Sequence, residues 1–181
     1  MKAITLTQPW ATLVAIGAKH FETRSWRTNH TGLLAIHAGK GIPAELGGEP
    51  GFRRICAEQP FFAALSAAGY TSPASLPRGE VVALSNLRGC YTTNMYQPDD
   101  GEVIRGWDDE YKKWKIEPAL HERAFGDYSP DRYAWGLDEV INLAAGSADR
   151  YPCRGWQQVW NLPDEIAEPL EQRLSMAHML L

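Results

Sequence analysis

The chain opens on a short apolar run, "KAITL" at residues 2–6, which reads as a strand. Behind it, Trp10, Leu13, Val14 and Gly17 fall at helical spacing, and Pro9 occupies a first-turn position where its missing N–H is not needed. Gly17 suits the left-handed residue that closes a helix. "HFETRSW" then alternates, so Phe21, Thr23 and Ser25 share one face of a predicted strand and Glu22, Arg24 and Trp26 the other. "GLLAIHAGK" predicts a further strand bounded by glycines. Between Ile42 and Gly69 the composition turns helical, and Pro60 divides that stretch into two helices or begins the second. "GEVVALSNLRGCYTT", "DRYAWGLDEVINL" and "RGWQQVWNLP" return to strand character, the last ending at Pro163. The tail is helical with a break near Pro169.

Residues 94–128 depart from this pattern. They are rich in acids, aromatics and turn formers, and they predict a surface excursion with one or two helical turns, outside the core. The rest of the chain gives five or six strands with helices between them, spaced too irregularly for a doubly wound parallel sheet. The expected class is α+β, a small mixed β-barrel with helices covering its openings.

Composition places the chain among ordinary globular proteins: 181 residues, 44% hydrophobic and 22% charged, are enough for one domain with a sizeable core. Cys56, Cys90 and Cys153 are odd in number, far apart and without a C-x-x-C pair, which argues against a disulfide framework or structural zinc and for a reduced, cytoplasmic compartment. The start has the outline of a secretory leader, but Thr5, Thr7, Gln8 and Pro9 interrupt it where a leader is most apolar. No run approaches the roughly 18 apolar residues of a membrane span.

Charge changes the picture more. The net value is −4, which argues against a general grip on nucleic acid. Residues 1–40, however, hold five basic residues (Lys2, Lys19, Arg24, Arg27 and Lys40) against one acid, Glu22; that region is +4, and the remainder carries −8. A positive patch on an acidic body suits a small anionic ligand or a few phosphates rather than a long duplex.

No Gly-rich phosphate loop, G-x-S-x-G elbow or H-E-x-x-H motif occurs, and the histidines at 20, 30, 37, 121 and 178 lack ligand spacing. No metal or other cofactor is expected. Candidate chemistry therefore gathers at the N-terminal stretch. Gln8 offers an amide donor and acceptor, beside first-turn N–H groups that favour an anion. Lys19 supplies a mobile charge, Arg24 a rigid fork for phosphate or carboxylate, and Glu22 a general base or an acceptor for a nucleobase edge. Trp10, Trp26, Tyr133 and Trp135 are candidate stacking surfaces.

Each has a structural alternative. Glu22 and Arg24 pair naturally on one strand face, and Trp10, Trp135 and Trp160 suit a core. His37 inside "LLAIHAG" reads more readily as a hydrogen-bonded structural histidine than a catalytic one, Lys40 also as a solvated lysine, and "DDEYKK" as a solvated face.

Taken together, "LTQPWATLVAIGAKHFETRSW", "GLLAIHAGK", "GEVVALSNL", "YAWGLDEV" and "GWQQVWNLP" resemble the ASCH domain family, from Lys2 to about Pro163. The G-x-K-x-x-E-x-R core joins Q-P-W upstream (Gln8, Pro9, Trp10) and I-H-A-G-K downstream (His37, Lys40). The resemblance implies a PUA-like β-barrel: one domain over residues 1–163, an irregular insertion at about 94–128 and a helical tail over 164–181. It also implies a cleft beside the barrel that binds RNA or a modified nucleobase. Some members are ribonucleases, and a smaller relative removes an acyl group from a modified cytidine with a Lys, a Thr and a Glu. That Lys maps to Lys19, while the Thr position falls on Glu22; Glu80 is a candidate for the third member.

Three functions follow as expectations. The first is a binding module for single-stranded RNA or a nucleotide-like ligand. The second is a metal-independent hydrolase, a ribonuclease or modified-nucleoside amidohydrolase, using Lys19, Glu22 and Arg24. The third is an adaptor that docks a protein partner through the acidic 94–128 segment. None involves a membrane.

Overall fold

A computed structural model describes residues 1–93, 104–106, 114–116, 122–145 and 149–178. Much of the 94–128 excursion, and with it the adaptor surface, lies outside the described residues.

The apolar run at the start forms β1 (Lys2–Leu6), and the helical spacing behind it forms α1 (Trp10–Ala15). β2 (Phe21–Arg24) and β3 (Gly32–Ala38) follow. Two helices, α2 (Gly48–Ala57) and α3 (Phe61–Ala67), are divided at Pro60 as the sequence implies. β4 (Glu80–Thr92), β5 (Ile104–Gly106), β6 (Trp114–Ile116), β7 (Tyr133–Asn142), β8 (Val159–Asn161) and α4 (Asp164–His178) complete the order.

Six strands make one mixed sheet in the order β2-β7-β4-β3-β1-β8, which curls into a half-barrel, an α+β fold of the expected kind. β1 and β3 run parallel, with α1 and β2 in the connection between them, and the other pairs are antiparallel. β4 bends between its neighbours through register shifts at Leu84/Asn86 and Leu87/Gly89. β5 and β6 form a separate two-stranded ladder.

Helices cover both faces of the sheet. Ala11, Val14 and Ala15 of α1 pack on Ile4, Leu6, Leu34, Ile36 and Trp135, the small alanines letting the helix lie close. Its other side sends Leu13 into a cluster with Phe52, Phe61, Leu65 and Phe125. On the opposite face, Ala167 and Leu170 of α4 join Ala3, Ala35, Leu84 and Trp160.

Three expectations need correction. α4 continues through Pro169, because buried Ala167 and Leu170 anchor the helix on both sides of the ring. The strand expected over "RGWQQVWNLP" narrows to Val159–Asn161, since Gln158 takes a positive φ of 60° that extended pairing does not permit. The end of the excursion is core: Glu122, Phe125 and Tyr128 are all buried. No helix among the described residues is long and apolar enough to cross a membrane.

Candidate functional site

Gly17 closes α1 with a φ of +73°, and the N–H groups of Ala18 and Lys19 both return to the Leu13 carbonyl. That turn sends the Lys19 side chain inward. It is fully buried, so it is not a mobile charge; Nζ donates to the carbonyls of Phe21 and Phe125, the latter at 2.8 Å, and lies 3.8 Å from Glu22. A buried ammonium persists only when so partnered. Burial lowers its pKa, while Glu22 and Glu122 oppose the shift.

Glu22 is also held at 2.9 Å by Arg24 Nε, and Arg24 Nη2 reaches 3.0 Å to the Thr5 carbonyl. β1 stands four places from β2 in the sheet order, so Arg24, held by Glu22 with Lys19 behind, forms a side-chain seam from β2 to β1 across the open half-barrel. Glu22 keeps a partial opening to a 340 Å³ pocket walled by Trp10, Thr23 and residues 124–127.

A carboxylate that sequence reasoning missed supports this seam from behind. Buried Glu122 accepts hydrogen bonds from the backbone N–H groups of His20 and Phe21 and contacts His20 Nδ1 at 3.1 Å. The contact raises the His20 pKa, chiefly through the hydrogen bond. Nothing local in the excursion signals this role, since Glu122 acts on residues a hundred positions away. Glu80, the candidate third carboxylate, instead forms a two-point ion pair with Arg150.

Gln8 and Pro9 are committed to the fold, while Trp10 also walls the 340 Å³ pocket. Gln8 and Pro9 are buried, and the Gln8 amide donates to the Pro77 carbonyl at 2.6 Å while its oxygen accepts from the Thr12 N–H at 3.2 Å. The Ala11 and Leu13 N–H groups bond to Thr7 and Pro9, so the first turn of α1 holds no donor in reserve for an anion at those positions. Trp10 is half-buried against Phe61. Trp135 is fully buried core rather than a stacking surface; Trp26 meets it edge-to-face at 4.6 Å, and half-buried Tyr133 packs on the same cluster.

His37 and Lys40 lie elsewhere, in a second and larger cleft of about 650 Å³. It forms where three strand ends meet. Ala38 opposes Glu80, the Gly79 N–H bonds to the Ala38 carbonyl at 2.7 Å, and the Cys153 N–H bonds to the Gly79 carbonyl at 3.1 Å. This stacking gathers three glycine–cation pairs, Gly39-Lys40, Arg78-Gly79 and Arg154-Gly155, around one opening. No acid is among the lining residues. The Arg78 guanidinium lies 4.8 Å from the Phe52 ring and 2.7 Å from Glu49; the Arg154 guanidinium lies 4.3 Å from the ring of exposed Trp156.

His37 lies deep in this cleft. Its Nε2 is 3.1 Å from the Cys153 carbonyl, and its buried Nδ1 has no hydrogen-bond partner. Burial lowers its pKa, against the carbonyl contact and the Glu80 charge. Gly155 crosses the ring so closely that a Cβ there would sit 2.5 Å from Nδ1 and 2.6 Å from Thr5 Oγ1. Arg78, Arg154 and Trp156 were missed in the sequence; the repeated glycine–cation dipeptide was the available signal. No cluster of metal-ligating side chains occurs among the described residues.

The family model for the ASCH domain matches residues 4–142. The chain is also similar to activating signal cointegrator 1 of Mus musculus, 23% identical over 141 residues, which is 67% of this chain and 23% of that protein. The chain thus spans under a quarter of that relative's length.

Proposed function

The chain belongs to the ASCH domain family, and from that premise we propose that it binds single-stranded RNA or a nucleotide-like ligand in the cleft lined by Lys40, Arg78 and Arg154. The observation that carries the reading is three cations around one opening with no lining acid, in a chain whose net charge is −4. Phosphates supply the complementary charge, and exposed Trp156 beside Arg154 offers a base a flat surface. His37 and Lys40 belong to this cleft, and Arg24, paired with Glu22, adjoins it through the Thr5 carbonyl.

Fluorescence anisotropy with a short labelled single-stranded RNA tests the reading. Binding at low salt that weakens about tenfold or more in a Lys40→Glu/Arg154→Glu double variant supports it. Absence of binding at low salt, or binding indifferent to both substitutions, removes it.

Hydrolysis is the second reading, favoured by one observation: the Glu22 carboxylate opens on a pocket with buried Lys19 behind it. Lys19 is committed to two backbone carbonyls, which weighs against its use as a free amine. Chelator-resistant cleavage of labelled RNA or an acylated nucleoside, abolished by Glu22→Gln, would move this reading to first place.

A further inference from the structure

The charge of the cleft exceeds what one internal phosphodiester requires. Three cations surround about 650 Å³, the scale of a small-ligand site and room for only one or two nucleotides of a strand. An internal stretch of that length brings one negative charge per linkage. A terminal phosphomonoester brings about −1.5 to −2 near neutral pH, together with three acceptor oxygens.

All three cations line the opening, and two of them have further contacts. Arg78 is braced between Phe52 and Glu49, which offsets part of its charge. Arg154 rests on Trp156, and the Lys40 stem runs beside Gly79, whose φ is +74°. Among the described residues neither Lys40 nor Arg154 has a carboxylate partner, so both charges face the cleft unneutralised. Gly39, Gly79 and Gly155 line the cleft with backbone alone, and at Gly155 the close approach of the His37 ring requires it. Two guanidinium forks and one ammonium suit a phosphate presenting several oxygens at once.

We propose that this cleft selects the end of a single-stranded RNA that carries a phosphomonoester over an internal segment of the strand. The proposal rests on the RNA-binding reading of the same cleft. The terminal phosphate sits among Lys40, Arg78 and Arg154, the adjoining diester completes the charge balance, and the first base lies against Trp156.

Competition anisotropy with three short RNAs of one sequence tests this: one with a 5′-phosphate, one with a 3′-phosphate, and one with hydroxyls at both ends. The expected result is that one phosphorylated RNA binds about tenfold tighter than the hydroxyl-ended strand. The choice of end identifies the polarity of the strand in the cleft. Lys40→Gln/Arg154→Gln, with an unfolding midpoint near wild type, should collapse the preference towards unity. Equal binding of all three RNAs, or a preference untouched by the double variant, overturns end selection while leaving RNA binding in place. No binding by any of them overturns both.

Discussion

Replacing Lys19 by methionine decides whether the ammonium is a structural tie or a functional amine. Methionine keeps much of the stem's volume and removes three N–H donors at a site with no exposed side-chain surface. The carbonyls of Phe21 and Phe125 lose their side-chain donor, and each buried polar group left unpaired costs about 1–3 kcal/mol. Glu22 retains Arg24 at 2.9 Å, which keeps the loss below the roughly 3–5 kcal/mol of a fully orphaned buried charge. Relief from burying the ammonium returns part of the balance. The expected loss is therefore about 2–4 kcal/mol, read as a lower urea midpoint at unchanged slope. Glu22→Gln should cost less, because Lys19 keeps both carbonyls and Arg24 keeps the Thr5 carbonyl. A Lys19→Met variant within about 1 kcal/mol of wild type that has lost a nucleoside-directed activity would refute the structural assignment.

Four further outcomes follow. His20, its pKa raised by Glu122, contributes stability that is full below pH 6.5 and lost as pH rises through the raised value; Glu122→Gln should return the His20 NMR titration to its ordinary range. For His37 the sign is opposite: burial lowers its pKa, so its contribution is present above pH 6.5 and declines as pH falls below that value, and its ring resonances should titrate below the ordinary midpoint. Gly155→Ala drives a methyl into His37 and Thr5 and should cost about 1–3 kcal/mol in urea unfolding while weakening RNA binding; a neutral variant would contradict the close crossing. If all three cleft cations neutralise phosphates, log affinity should fall with log salt at a slope of about −2, and Arg154→Gln should make the slope shallower by about 0.7.

Local periodicity made much of the fold legible. Alternation located β2 and the glycine-bounded β3, helical spacing located α1, and Pro60 separated α2 from α3. Long-range packing governed the rest. Pro169 reads as a break until Ala167 and Leu170 are seen anchoring the helix around it. The shared face of Glu22 and Arg24 was visible, but its meaning depended on the Phe125 carbonyl and Glu122 arriving from the far end of an acidic excursion. Lys40, Arg78 and Arg154 lie in three separate segments, and only the ladder joining residues 38, 79 and 153 makes them one cleft. The N-terminal charge surplus suggested a positive patch, yet Lys19 is buried and two of the three cleft cations come from later in the chain.

The seam at Arg24 ties β2 to β1 through a side chain where no strand ladder joins them. A strand ladder has a fixed spacing set by the peptide backbone, and changing it requires a new register. Here the Arg24 guanidinium, itself held by Glu22, reaches from β2 to the Thr5 carbonyl of β1. A substitution at position 24 would therefore remove this tie while leaving the backbone pairing of β2 with β7 in place. Because Thr5 receives that guanidinium on its carbonyl and the Trp160 indole N–H on its hydroxyl, while also lining the basic cleft, the loss would be felt at the wall of that cleft. Thr5 thus couples the open edge of the half-barrel at Arg24 to the basic cleft.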